Sequence, residues 1–114
     1  MVRDPEALRA ACRRLALAEP VHGTTKLYSG QATGWAVRLT DWKYPVVFDT
    51  AKGEARFDNF HGIWGEQVHF DCFMQAYTIE KAKLEARRKG HSTTEQQLAD
   101  GSIKLRIQLT GGAT

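Results

Sequence analysis

The sequence predicts an α+β fold: an antiparallel sheet, made of a meander plus a C-terminal hairpin, with two helices packed on one face in a ferredoxin-like or related sandwich. Three observations carry this. Residues 66–89 form the longest segment free of Gly and Pro, and within it Phe70, Phe73, Met74, Tyr77 and Leu84 recur at helical spacing. Residues 35–40 switch to period two, with Trp35, Val37 and Leu39 alternating with Ala36, Arg38 and Thr40, and open an antiparallel meander over 35–58. Asp100-Gly101 separates two strand-like segments, a strong hairpin signal.

The first helix opens at Asp4-Pro5, where the carboxylate can cap free N–H groups and Pro loses no hydrogen bond. Leu8, Ala11 or Cys12, Leu15 and Ala18 make its apolar stripe, and Pro20 with Gly23 is expected to end it. A weak strand follows over 24–29, with Gly30 and Gly34 bracketing a turn or bulge. Val46, Val47 and Phe48 suit a central strand, 49–53 a tight loop closed by a left-handed Gly53, and Ala55 with Phe57 the return strand. Gly90, after Arg87, Arg88 and Lys89, caps the long helix. With Asp100-Gly101 as a two-residue loop, Glu95 would face Arg106 and Gln97 would face Lys104 on the outer side. Ile103, Leu105, Ile107 and Leu109 would then face the core, opposite an edge strand offering only Leu98 among Ser92, Thr94 and Gln96.

At 114 residues the chain is expected to be one domain, 1–114. Its net charge of +3 permits nucleic-acid contact without demanding it. Cys12 and Cys72 lack metal-ligand spacing and read as small apolar residues of a reduced compartment. The first residues lack the apolar core of a signal peptide and no run reaches membrane-span length, so a cytoplasmic location is expected.

The segments YTIEKAKLEARRKGHSTTEQQLADGSIKL and YPVVFDTAKGEARFDNFHGIWGEQ resemble the plastid hypothetical reading frame thirty-five family and its bacterial relatives, a domain of unknown function. The similarity runs from Arg3 onward and is most specific over 77–105. It carries no reaction and no catalytic or cofactor residue. It implies a small intracellular protein, often encoded beside AAA-type ATPases, which makes such an ATPase a candidate partner. The family begins with an extra strand before the first helix, whereas only Met1, Val2 and Arg3 precede the cap here. A sheet lacking that strand would present an open edge to another chain or a second copy.

Two regions are candidates for function. Asp58, Asn59, His61, Trp64 and His69 offer oxygen and imidazole ligands, and Trp64 with Phe60 could wall a pocket. A metal-dependent enzyme would centre on His61 and His69, but the spacing fits no standard zinc signature, and a loop packed by its own aromatics with Asp58 and Asn59 bonding backbone explains the same residues. Cys72, Ala76, Ile79, Ala82 and Ala86 form a second apolar stripe on the long helix, half a turn from the first. It reads either as a docking surface for a partner or second copy, or as good helix formers tucked under a loop. Lys81, Lys83, Arg87, Arg88 and Lys89, with Lys104 and Arg106, would serve a nucleic-acid binder, but Glu80, Glu85 and Glu95 interleave with them, and Glu85 is spaced to pair with Lys89. Gly111-Gly112 near the terminus could become a ubiquitin-like diglycine end if trimmed, although small residues also make up frayed tails. The sequence therefore favours a non-enzymatic interaction or adaptor module, partnered by protein or by a second copy, with no cofactor and no membrane; a basic nucleic-acid binder and the metal-dependent enzyme are the alternatives.

Overall fold

The computed structural model describes residues 2–109; the Gly111-Gly112 motif lies outside them. The elements in order are α1 (Pro5–Arg14), β1 (Val21–Leu27), β2 (Gly30–Val37), β3 (Val46–Asp49), β4 (Glu54–Arg56), a 3-10 turn (Phe60–Gly62), α2 (Gln67–Arg88), β5 (Ser92–Gln97) and β6 (Ile103–Gln108). Strands β1-β2-β3-β4 form one antiparallel meander, and β5-β6 a separate two-stranded ribbon. The fold is thus α+β, and its meander order makes it the related sandwich. Among the described residues no helix is long and apolar enough to cross a membrane.

Helix α1 begins as its sequence dictates, with Asp4 Oδ1 accepting from the N–H groups of Glu6 and Ala7. It ends at Arg14, earlier than Pro20 implied. The Leu17 N–H donates to Cys12 O (2.8 Å) and the Ala16 N–H to Arg13 O (3.2 Å), with Ala16 left-handed at φ 57. This is the Schellman exit usually given to glycine, and the left-handed conformation costs a residue with a Cβ about 1–2 kcal/mol. Ala16→Gly is expected to raise stability by about 1 kcal/mol, read as a higher urea midpoint at unchanged slope.

The main core lies between the helices and the sheet: Leu8, Ala11 and Cys12 from α1, Phe73, Tyr77 and Leu84 from α2, Val37, Val46 and Phe48 from the strands. Phe48 and Phe73 stack at 5.6 Å. Tyr77 hydroxyl oxygen accepts from the backbone N–H groups of Arg3 and Asp4 (3.1 Å each), which ties the start of α1 to the middle of α2. Val2 is buried in the same core, and the Arg3 guanidinium donates to the carbonyls of Ala51 and Lys52. The 49–53 loop forms as expected, with Gly53 at φ 71 and Asp49 Oδ1 accepting from Ala51 and Lys52.

The first hairpin differs from expectation. β1 starts at Val21, the turn is Tyr28-Ser29, and Gly30 and Gly34 lie within β2 and bracket no turn. Gly23 pairs with Gly34, and only Trp35, Ala36 and Val37 of β2 go on to pair with β3. A Cβ on Gly34 would run into the Phe48 carbonyl, within 2.8 Å of its carbon. Two facing glycines remove the side chains that resist bending, so the hairpin leaves β3 and curls over the outer face of the sheet. Leu27, Ala32 and Val47 are buried together there beneath Ala36 and Tyr44, a second small core with no helix over it.

The C-terminal ribbon also departs from expectation. The Gly101 N–H donates to Leu98 O, the Leu98 N–H donates to Ser102 O, and Gly101 is at φ 88. The loop is therefore three residues, 99–101, and the register moves by one: Glu95 pairs with Leu105, Thr94 with Arg106, Gln97 with Ile103. A one-residue slip exchanges the faces of one strand relative to the other. Thr93, Glu95 and Gln97 now share a face with Ile103, Leu105 and Ile107, while Thr94 and Gln96 join Lys104 and Arg106 on the other. Ile103 and Leu105 are half-buried, and Ile107 and Leu109 are exposed, so this strand is not a core strand of the sheet. The radius of gyration, 15.8 Å, exceeds the roughly 13 Å of a spherical chain of this length, and the long dimension is 56 Å.

Glu95 fastens the ribbon. Its carboxylate takes both Arg14 Nη2 (2.6 Å) and Nη1 (3.0 Å) and also Lys83 Nζ (2.7 Å), while Glu80 shares Arg14 and Lys83. Hydrogen bonds from Arg14 and Lys83 hold the Glu95 carboxyl down to about 2, well below its ordinary 4.5. Such a group contributes stability that is fully present above its unfolded value and is lost as pH falls through the folded one. The ribbon is expected to loosen selectively as pH drops from 4.5 toward 2. Glu95→Gln should reproduce that loosening at neutral pH, as an approximately tenfold rise in amide exchange over 92–108 with the meander unchanged; equal exchange in both would refute it.

Candidate functional site

Four segments converge at one end of the curled sheet: the Tyr28-Ser29 turn, Lys43-Tyr44 between β2 and β3, the 57–65 loop and the start of α2. The curl brings the first of these in. Ser29 donates from its N–H (2.9 Å) and its hydroxyl to the Asp58 carboxylate. The Lys43 N–H donates to Trp64 O (2.8 Å), and the Trp64 N–H to Asn59 O (2.9 Å).

Trp64 is the hub. Phe60 stacks on it at 4.8 Å and 24°, Tyr28 meets it edge-on at 5.0 Å, Tyr44 at 5.6 Å, and Lys43 Nζ lies 4.6 Å from its ring centroid. The outward members stay in water: Tyr28 is 69%, Phe60 51% and Ile63 73% exposed. Phe60 and His61 adopt left-handed backbone, φ 47 and 54, which non-glycine residues rarely take. Beneath the loop, Trp42 is buried between Phe57 (5.5 Å) and Phe70 (6.4 Å), donates from Nε1 to Glu66 O (3.1 Å), and lies against Gly65. The platform rests on that indole.

The predicted ligand loop thus folds, with its candidate ligands turned to different partners. Asp58 is engaged by Ser29, and Asn59 Nδ2 donates to Gly65 O (3.4 Å). His61 sits beside Phe60, whereas half-buried His69 lines a separate small cavity with Cys72, Leu15, Leu17, Leu39 and Thr40. The two histidines are not brought together, and among the described residues no three His, Cys, Asp or Glu side chains converge on a cation-sized space. Trp64 and Phe60 stack on each other instead of walling a pocket. Tyr28, Lys43 and Tyr44 were missed in sequence because only the curl makes them neighbours of Trp64; aromatics flanking turns were the available signal.

The second stripe of α2 is corrected in most of its length. Ala76 and Ala86 are buried, Ile79 is 8% exposed, Ala82 is half-buried, and only Cys72 is exposed. The C-terminal half of this stripe lies toward the ribbon: Glu95 reaches Lys83, and Ala82 and Ala86 line one groove with Ile107 and Leu109. Ile79→Lys would accordingly cost about 2–4 kcal/mol of stability instead of sparing the fold, by burying a charge without a partner; thermal melting reads this.

Of the cations proposed for nucleic acid, Lys81, Lys83 and Arg88 are engaged internally. Lys81 pairs with Glu85, which is not held by Lys89; Lys83 pairs with Glu80 and Glu95, and Arg88 with Asp4 and Glu6. Lys104 and Arg106 lie on the opposite face of the ribbon. Cys12 is buried, which with Glu19 nearby pushes its thiol up to about 11 and leaves it protonated at neutral pH.

No family model, curated protein or solved structure matches the chain.

Proposed function

We propose that the chain is a non-enzymatic protein-interaction module, an adaptor that docks through the aromatic end of its curled sheet. The observation that carries this reading is the exposure of Tyr28, Phe60 and Ile63 around a fixed Trp64. Leaving a large apolar side chain in water forgoes about 1.5–3 kcal/mol relative to burial. Here the loop adopts unfavourable left-handed backbone at Phe60 and His61 while Phe60 stays outward. Strain held at an exposed aromatic cluster is accounted for if a partner covers it. Aromatic side chains on a rigid frame are also the usual anchors of protein interfaces, because they bury much area at little cost in side-chain entropy.

The resemblance to the plastid reading-frame family supplies a candidate partner class, the AAA-type ATPases. Comparative affinity capture from native extract tests the reading, using the wild-type chain and a Phe60→Ser/Ile63→Lys variant. The same partner should be retained by the first and lost by the second at unchanged melting temperature. Identical retention by both would contradict the reading.

A further inference from the structure

A second surface has the properties of a binding site. β1 is seven residues long and ends the sheet, and no strand pairs with its outer edge among the described residues. In an antiparallel ladder every second residue turns its N–H and C=O away from its neighbour, so β1 presents a row of unused backbone groups. Proline, the usual guard of such an edge, precedes the strand at Pro20 and is absent from it.

The edge is also basic. His22, Thr24 and Lys26 share the face of β1 that looks toward α1, and His22 and Arg9 both lie against Trp35, at 4.9 Å each. Beside the start of the strand is a cavity of about 340 Å³ lined by Arg9, Cys12, Arg13, Leu17 and Glu19. Glu19 is 3.9 Å from Arg9, while Arg13 and Lys26 have no ion pair among the described residues.

We infer that the β1 edge accepts an extended acidic peptide segment as a fifth strand, with one of its carboxylates entering the Arg9–Arg13 cavity. Backbone pairing supplies affinity and alternate side chains supply selectivity, as in other strand additions. A second copy fits less well: an antiparallel two-fold pairing centred on Thr24 sets His22 against Lys26 of the other chain twice. Such a pairing brings no carboxylate to Lys26 or Arg13, because β1 contains no acidic residue. This extends the reading as an interaction module to a surface separate from the aromatic end.

Synthetic octapeptides alternating Glu with Thr, or Lys with Thr, are titrated into the isotope-labelled full chain and followed by amide resonances. The acidic peptide should shift Val21–Leu27 and the basic peptide should not. N-methylation of alternate residues of the acidic peptide, in one of the two possible phases, should weaken binding by about tenfold or more. Arg13→Glu/Lys26→Glu, at two exposed positions, should reverse the preference toward the basic peptide. Absence of shifts in β1, equal response to both peptides, indifference to both N-methyl patterns, or a free chain that already dimerises through β1 would each overturn the inference. None of these outcomes bears on the aromatic end, which the capture experiment decides.

Discussion

Gly34→Ala is expected to cost about 3 kcal/mol and to lower the melting temperature by roughly 10–20 °C. The new methyl group meets the Phe48 carbonyl, which is backbone of a central strand and cannot swing aside as a side chain would. Relief requires the β1–β2 hairpin to straighten away from β3. That movement uncovers Leu27, Ala32 and Val47, and separates Ser29 from Asp58 and Tyr28 from Trp64. Tm and tryptophan emission should therefore change together, with Trp64 losing the ring against its edge. A variant of wild-type stability would mean that the curl does not depend on Gly34.

Gly65→Ala acts on the same platform from beneath and is expected to cost about 2–3 kcal/mol. The added carbon would sit 2.5–2.6 Å from Cε2 and Cγ of the Trp42 indole, so the ring must leave its slot between Phe57 and Phe70. Its hydrogen bond to Glu66 O goes with it, and so does the anchor of the first turn of α2. Near-ultraviolet circular dichroism should lose tryptophan signal while the far-ultraviolet spectrum keeps its helix. Trp42→Phe in the Gly65→Ala background, with a smaller ring, should recover part of the loss; no recovery would place the strain elsewhere.

The helices were legible because their signals are local. Asp4-Pro5 and Gly90 fix ends by capping chemistry, and the Phe73, Tyr77 and Leu84 face is written in a single period. The two-faced burial of α2 was visible as two stripes, but which of them water reaches depends on where the 92–108 hairpin folds back, as Ala82 and Ala86 show. The register of that hairpin turned on one residue of loop length. Asp100-Gly101 marks the turn equally well whether the loop holds two residues or three, and only the Leu98–Ser102 closure distinguishes them. The aromatic site was half legible: the 57–65 loop stood out by composition, whereas Tyr28 joins it through a bend that Gly23 and Gly34 permit but do not announce.

Arg14 shows the same limit from the electrostatic side. As a member of a run of arginines it resembled a solvated face, yet it sits between Glu80 and Glu95 and joins α1, α2 and the ribbon. Its hydrogen bonds to Glu95 raise its own pKa further, so the arginine stays charged throughout and the acid response of this junction belongs to Glu95.

The most direct measurement is hydrogen–deuterium exchange on the wild-type chain with the partner obtained by comparative capture. Docking through the aromatic end predicts slowed exchange at 28–29, 43–44 and 60–64, with 92–108 unchanged. Protection confined to α2 and the ribbon, or absent from 60–64, would contradict it.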